Sequence, residues 1–291
     1  MRIGILGGAA QFAGAGRQLE TELGRRGWGL VLGVAGPVPF DTIGPESDVV
    51  EVLPRGAEPG TLAADRRAVN GPVGRMDAVR LLSDAVVVLP GGIDVLADLL
   101  TLLTEQALGL SDKPCGVLDP TGLLDPMAEQ LDALVRAGLP AARLLRAGNP
   151  ADLLDQLAAW RPTGGGDVRA EVAWLRISDS NLALLPTPAG LRLPGGPRRS
   201  GERGAVALSR VIAEFGLLQG GSVPLRPERL HPVAALMVPD TDGGWRRVSC
   251  YRADGPQPVV PGAVSYPLGE TAACEPAAAA LQDLLRRGRI P

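Results

Sequence analysis

The sequence predicts an α/β domain with a doubly wound parallel sheet, followed by an α+β domain of different character. Three observations carry this. Short apolar runs alternate with helical patterns over the first 160 residues, the arrangement that builds a parallel sheet covered on both faces. A proline and three consecutive glycines then interrupt the chain in RPTGGGD, a composition suited to a linker. Beyond it the pattern becomes strand-rich and the charge changes sign. Up to Trp160 there are 13 basic and 20 acidic residues, net −7; the remainder holds 16 and 12, net +4. The boundaries read as a first domain over 1–162, a glycine-rich linker over 163–167 and a second domain over 168–291.

In the first domain IGILGG, GLVLGV, DVVEVLP, AVVVLPGG and PCGVLD read as buried strands, each bounded by Gly, Pro or Asp. Among them GRQLETELGRRG, RMDAVRLLS, VLADLLTLLTEQALG and DPMAEQLDALVRAG space apolar residues three and four apart, as one face of a helix requires. In the second domain AEVAWLRISDSNLALLPT, PVAALMVPD, WRRVSCYRA and AVSYPLG read as strands of a mixed or antiparallel sheet, with helices over roughly 204–215 and 275–287. The tetrapeptide LPGG occurs at 89–92 and again at 193–196. The two copies lie in different architectures and form no internal repeat.

Composition narrows the chemistry. The three cysteines are widely spaced without a CxxC, which argues against disulfides and zinc. His231 is the single histidine, so a two-histidine metal site is excluded and a structural role is expected for it. A net +4 on the second domain is too small to argue for nucleic acid. No apolar run reaches membrane-spanning length, and MRIGILGG lacks the layout of a signal peptide, so the expected location is the cytoplasm.

At the first LPGG a buried strand ends in Pro90-Gly91-Gly92 and a helix follows. Glycines there let backbone N–H groups approach a ligand, and a helix N-terminus favours an anion. The stretch RMDAVRLLSDAVVVLPGGIDVLADLLTLLTEQALGLSDKPCGVLDPTGLLDPM resembles the LOG, or lysine-decarboxylase-like, family. That family reads R-K-x-x-M, then SDAFIALPGGxGTxxE, an LTxxQLG helix and KPVGLLN-x-x-GYYDPL. The resemblance spans about residues 1–160. It implies a Rossmann-like fold, a homodimer formed through this domain, and cleavage of the N-glycosidic bond of a nucleoside 5′-monophosphate. By the same resemblance the family's catalytic arginine falls on Arg75 and its glutamate on Asp98; its two glycines are Gly91 and Gly92. The motif's later Gly-Thr, which holds the substrate phosphate, has become Asp94 and Val95. The family's second glycine-rich turn is reduced to GVAGPV, beginning at Gly33. Val95 removes a hydroxyl, and Asp94 sets a negative charge where a dianion would sit; read structurally, Asp94 is the N-cap of the following helix.

The second copy, LRLPGGPRRSGERGAVALSRVIAEFGLL, resembles the Nudix box, GGx4GEx7REUxEExGU with U apolar, and the likeness extends over about 168–291. In that family clustered glutamates on one helical face hold Mg²⁺ or Mn²⁺ against a pyrophosphate. Aligned on the terminal Gly216-Leu217, the arginine position is Ser209, two glutamate positions are Arg210 and Ala213, and Glu214 remains. The spacing from Glu202 is one residue short. With only Glu202 and Glu214 left, no metal and no cofactor are expected, and Arg210 and Glu214 are spaced for an i, i+4 ion pair. Arg198, Arg199 and Arg203 are candidates for binding phosphate directly, or form a solvated basic loop.

Erosion in both domains favours a nucleotide- or nucleotide-sugar-binding protein with a regulatory or scaffold role. The expected partner is a nucleotide or ribose phosphate, with neither nucleic acid nor membrane. The alternatives are an active phosphoribohydrolase that uses Arg75 and Asp98, and a purely structural role based on dimerisation.

Overall fold

The computed structural model describes residues 1–33, 48–57, 65–108, 111, 113–139, 142, 144–160, 168–199, 202–218, 225–240, 243–253, 260 and 262–287. The chain forms two compact units, Met1–Thr163 and Gly164–Pro291. The linker expected at 163–167 lies outside the described residues.

In chain order the first unit contains β1 (Arg2–Gly7), α1 (Ala13–Arg25), β2 (Gly29–Leu32), β3 (Val49–Pro54), β4 (Asp65–Val69), α2 (Gly71–Leu82), β5 (Ala85–Leu89), α3 (Ile93–Ala107), β6 (Cys115–Leu118), α4 (Asp125–Arg136), β7 (Leu145–Ala147) and α5 (Pro150–Ala159). Its seven strands form one sheet in the order β4-β3-β2-β1-β5-β6-β7, and every pairing is parallel. The architecture is Rossmann-like α/β. Strand alternation supplies both faces. Ile3, Ile5, Val87 and Leu89 pack with Leu19 and Leu23 of α1 and Leu153, Leu154 and Leu157 of α5. Leu6, Val86 and Val88 pack with Val79 and Leu82 of α2 and Leu99, Leu102 and Leu103 of α3. The N-terminus of α5 is capped by Asn149, whose Oδ1 accepts the Asp152 N–H at 3.0 Å.

Two strands exceed the five expected. β4 alternates between half-buried and exposed residues, and β7 is three residues long. Both are edge strands, so neither has the continuous apolar run that burial on both faces imposes on the inner ones.

The chain builds outward from β1 through β2, β3 and β4, then returns to place β5 on the other side of β1. Ligands in open α/β sheets bind at such a reversal, beyond the carboxyl ends of the strands. The ends concerned are Gly7 of β1 and Leu89 of β5, which are register partners. Gly7 has φ +80°, and a Cβ on it would lie 2.1 Å from the Leu89 carbonyl oxygen. Only glycine allows the two strand ends to approach this closely.

The second unit contains β8 (Val168–Trp174), β9 (Ile177–Ser178), β10 (Asn181–Thr187), β11 (Gly190–Arg192), β12 (Gly195–Pro197), α6 (Gly204–Leu218), β13 (Leu230–Pro239), β14 (Trp245–Ala253), β15 (Val264–Pro267) and α7 (Pro276–Arg286). One sheet runs β12-β8-β14-β13, with β8 parallel to β14 at its centre; the other runs β11-β10-β15, with β9 beside β10. Ala207, Leu208, Val211 and Ile212 of α6 close over Val172, Trp174 and Tyr251. The second LPGG is part of this sheet. Gly195 and Gly196 are paired with Ala173 and Val172 in β12 rather than forming a turn. A Cβ on Gly195 would lie 2.1 Å from the Val172 carbonyl, so these glycines serve close strand pairing. Among the described residues no helix is long and apolar enough to cross a membrane.

Candidate functional site

At the carboxyl edge of the first sheet, β5 ends and α3 begins within three residues, Pro90, Gly91 and Gly92. The N-cap of α3 is Gly92, extended at φ −77° and ψ −169°. The helix therefore starts earlier than the N-cap reading of Asp94 requires. Asp94 is its second residue, exposed, and complements the positive end of the helix dipole from within the first turn. Its Oδ1 lies 2.9 Å from where a Cβ on Gly92 would be, so the carboxylate folds back over the N-cap. Val95 turns the other way. It is 6% exposed, and one of its methyl groups would stand 2.5 Å from a Cβ on Gly91. Val95 thus wedges the turn from below. Just before them, Ile93, the first residue of α3, is 82% exposed, a residue that sequence reading passed over because one apolar letter at a helix start carries no signal.

Arg75 and Asp98 meet beneath this edge. Arg75, on α2, is 7% exposed, and Asp98, on the inner side of α3, is 9% exposed. One guanidinium nitrogen donates to Asp98 Oδ2 at 2.6 Å, and the other donates to the Gly33 carbonyl at 2.9 Å. The remainder of GVAGPV lies outside the described residues. Burial pushes the Asp98 carboxyl above its ordinary value; Arg75 opposes this, and the Asp94 charge adds to it. The result is a carboxyl held closer to neutrality than a surface aspartate, next to a fixed cation, an arrangement suited to proton exchange with a bound group. Asp119, after β6, is the opposite case. Burial would raise its pKa, but N–H groups of Leu124 and Thr121 donate to its oxygens and keep it below the usual carboxylate range.

In the second unit the Nudix-like positions converge on Arg210. Its Nε donates to Glu202 Oε1 at 2.9 Å and another nitrogen donates to Glu202 Oε2 at 2.8 Å. A third contact reaches Glu214 Oε1 at 3.3 Å, the pair expected from helical spacing. The bidentate bond to Glu202 holds that carboxyl down to about 2. Both remaining carboxylates therefore bind one guanidinium. Arg198 donates to the Glu202 carbonyl at 2.6 Å, Arg199 approaches Glu214 at 3.9 Å, and Arg203 is exposed. Among the described residues no group of three or more His, Cys, Asp or Glu is placed to hold a metal ion. Calorimetric titration with Mg²⁺ is expected to find no sub-millimolar site, and Arg210→Glu is expected to introduce one, because carboxylate clusters offset the cost of dehydrating a hard cation. Sub-millimolar binding by the unaltered chain, lost in Glu214→Gln, would overturn this.

The family model described as "Possible lysine decarboxylase" matches residues 59–157. Among curated proteins the chain is 32% identical over 197 residues to the "Probable cytokinin riboside 5'-monophosphate phosphoribohydrolase LOGL5" of Oryza sativa subsp. japonica, over 62% of this chain and 80% of that one. A solved structure of the molybdenum cofactor binding protein from the phototrophic bacterium Rippkaea orientalis is similar at 17% identity and TM-score 0.41, over 54% of this chain and 95% of that one. The MutT Nudix hydrolase from Burkholderia pseudomallei is similar at 18% identity and TM-score 0.32, over 40% and 95%.

Proposed function

The chain belongs to the LOG family, and from that premise we propose that its first unit recognises a ligand built on a base and a ribose, of the nucleotide or nucleotide-sugar class, without hydrolysing it. The observation that carries this reading is Asp94 folded over the N-cap of α3, where the family's motif has a glycine. A helix N-terminus binds phosphate through free amides and a positive dipole end; here a carboxylate already occupies that field. The second unit, with Arg210 closing its two remaining carboxylates, acts as a scaffold or an additional recognition surface on this reading. The expected location is the cytoplasm. The exposed Ile93, Leu100 and Leu108 of α3 and its C-cap support a homodimer through the first unit.

A second reading is favoured by one observation. Arg75 and Asp98 are in contact, and burial pushes the Asp98 carboxyl above its ordinary value against the pull of Arg75, a pairing that fits an N-glycosidic phosphoribohydrolase. Two measurements on one panel of nucleosides, nucleotides and nucleotide sugars separate the readings. In thermal shift, a cognate ligand at a hundred times its Kd is expected to add about 2.7 kcal/mol of stability. Chromatography of the same mixtures is expected to find no released base. Release abolished by Arg75→Ala or Asp98→Ala would establish the hydrolase instead.

A further inference from the structure

The second unit holds a buried guanidinium whose hydrogen bonds are incomplete. In β8 and β14, Val172, Trp174, Tyr251 and Ala253 pack against α6, so strand alternation places Glu171 and Arg246 on the opposite face of the sheet. There a narrow cleft, about 240 Å³ counted out to open solvent, is lined by Glu171, Arg192, Arg246, Glu275, Ala277 and Ala278. Arg246 is 6% exposed, and its Nη1 lies 3.1 Å from Glu275 Oε2. The same nitrogen is 3.6 Å from Glu171 Oε2, and Nε is 3.5 Å from Asp240 Oδ1. Nη2 is buried with no hydrogen-bond partner. A buried donor left unbonded is costly, so it marks a position where a partner is missing. The start of α7 points the same way. Glu275 is the N-cap of this helix, yet its side chain makes no bond to the first-turn amides; Oε1 accepts the Thr187 hydroxyl at 2.8 Å instead. Helix geometry leaves the amides of Ala277 and Ala278 without intrahelical acceptors, and a helix N-terminus favours an anion.

The cleft also provides for a positive charge. Glu171 lies 3.5 Å from Arg192 and 3.6 Å from Arg246, both longer than the roughly 2.7–2.9 Å of a charge-assisted bond. Its carboxylate therefore keeps capacity for a closer donor. Two guanidiniums and two carboxylates line the cleft, with no net charge among them. A phosphate dianion would face both carboxylates, whereas a ligand with one anion and one cation a few atoms apart is matched at each end. We infer that this cleft binds the head group of a free α-amino acid. The ligand's carboxylate accepts from Arg246 Nη2 and from the first-turn amides of α7, and its ammonium donates to Glu171. The inference stands apart from the base–ribose reading of the first unit and gives the second unit a small-molecule site of its own.

The test titrates the full chain by calorimetry with each standard amino acid, and with the N-acetyl derivative and the carboxamide of any that binds. Inorganic phosphate and adenosine are titrated alongside. At least one free amino acid is expected to bind. N-acetylation and amidation are each expected to weaken it about tenfold or more, since each deletes one of the two charged contacts. Glu171→Gln, which keeps the shape and removes the charge, is expected to weaken the free amino acid about tenfold and to leave its N-acetyl derivative unchanged. Thermal melting checks that this variant folds; the two derivatives test the inference on the unaltered protein even where it does not. No binding by any free amino acid would overturn the inference and leave Nη2 to a water molecule. An N-acetyl derivative that binds as tightly as its parent would overturn it as well. Binding of phosphate or adenosine that Glu171→Gln alters, in place of an amino acid, would assign the cleft to another ligand class and sink the inference.

Discussion

Arg75→Met is expected to lower the stability of the first unit by about 3 kcal/mol at neutral pH, because it leaves a buried carboxylate without its cation. The side chains of Arg75 and Asp98 are 8% and 12% exposed and 2.6 Å apart, so solvent screens the pair little. Burial already raises the Asp98 pKa, and Asp94 adds to it; Arg75 is the opposing influence. The penalty has a ceiling, since Asp98 can instead take up a proton. From the ordinary value of 3.8 to pH 7 that uptake costs about 4 kcal/mol at about 1.36 kcal/mol per unit. The sign of the pH dependence follows. With its folded pKa raised above the unfolded one, Asp98 opposes folding only when ionised. The deficit of Arg75→Met is therefore smallest below the unfolded value, grows as pH rises toward the folded value, and is constant above it. Urea denaturation at pH 4 and pH 7 measures this. An equal deficit at both would assign the effect to lost packing of the arginine stem.

Gly7→Ala is expected to cost more than about 3 kcal/mol, and the reason is geometric. At φ +80° an alanine carries about 1–2 kcal/mol of backbone strain. Its Cβ would also lie 2.1 Å from the Leu89 carbonyl and 2.9 Å from a Val95 methyl group. The backbone contact can be relieved only by parting β1 from β5. Gly56 provides the control. Its φ is +83°, yet a Cβ there meets nothing within 4 Å, so Gly56→Ala is expected to cost about 1 kcal/mol from backbone strain alone. The difference between the two, read from denaturation midpoints, isolates the close approach of the strand ends. Similar losses in both variants would mean that the β1–β5 end relaxes without consequence.

What the sequence determined by itself is whatever follows from local periodicity. Strands buried on both faces must be apolar throughout, so β1, β2, β3, β5 and β6 are legible as runs; helices that cover them must be apolar every third or fourth residue, so α1 to α4 are legible as well. The same spacing predicts the Arg210–Glu214 pair, four residues apart on one helix. Tertiary structure decided what periodicity does not encode. β4 and β7 exist because a neighbouring strand offers them partners, although β4 alternates half-buried with exposed residues and β7 is only three residues long. The N-cap at Gly92 rather than Asp94 depends on an extended glycine backbone that two consecutive glycines in sequence do not locate. Arg75 and Asp98 are separated by 23 residues, and their contact arises because α2 and α3 both pack on the face of the sheet that carries Leu6, Val86 and Val88. Glu202 reaches Arg210 with both oxygens because the chain entering α6 turns back beside the helix. A chain's hydrophobic pattern is a property of neighbours in sequence, whereas the meeting of two charges is a property of topology, and the candidate site is made of such meetings.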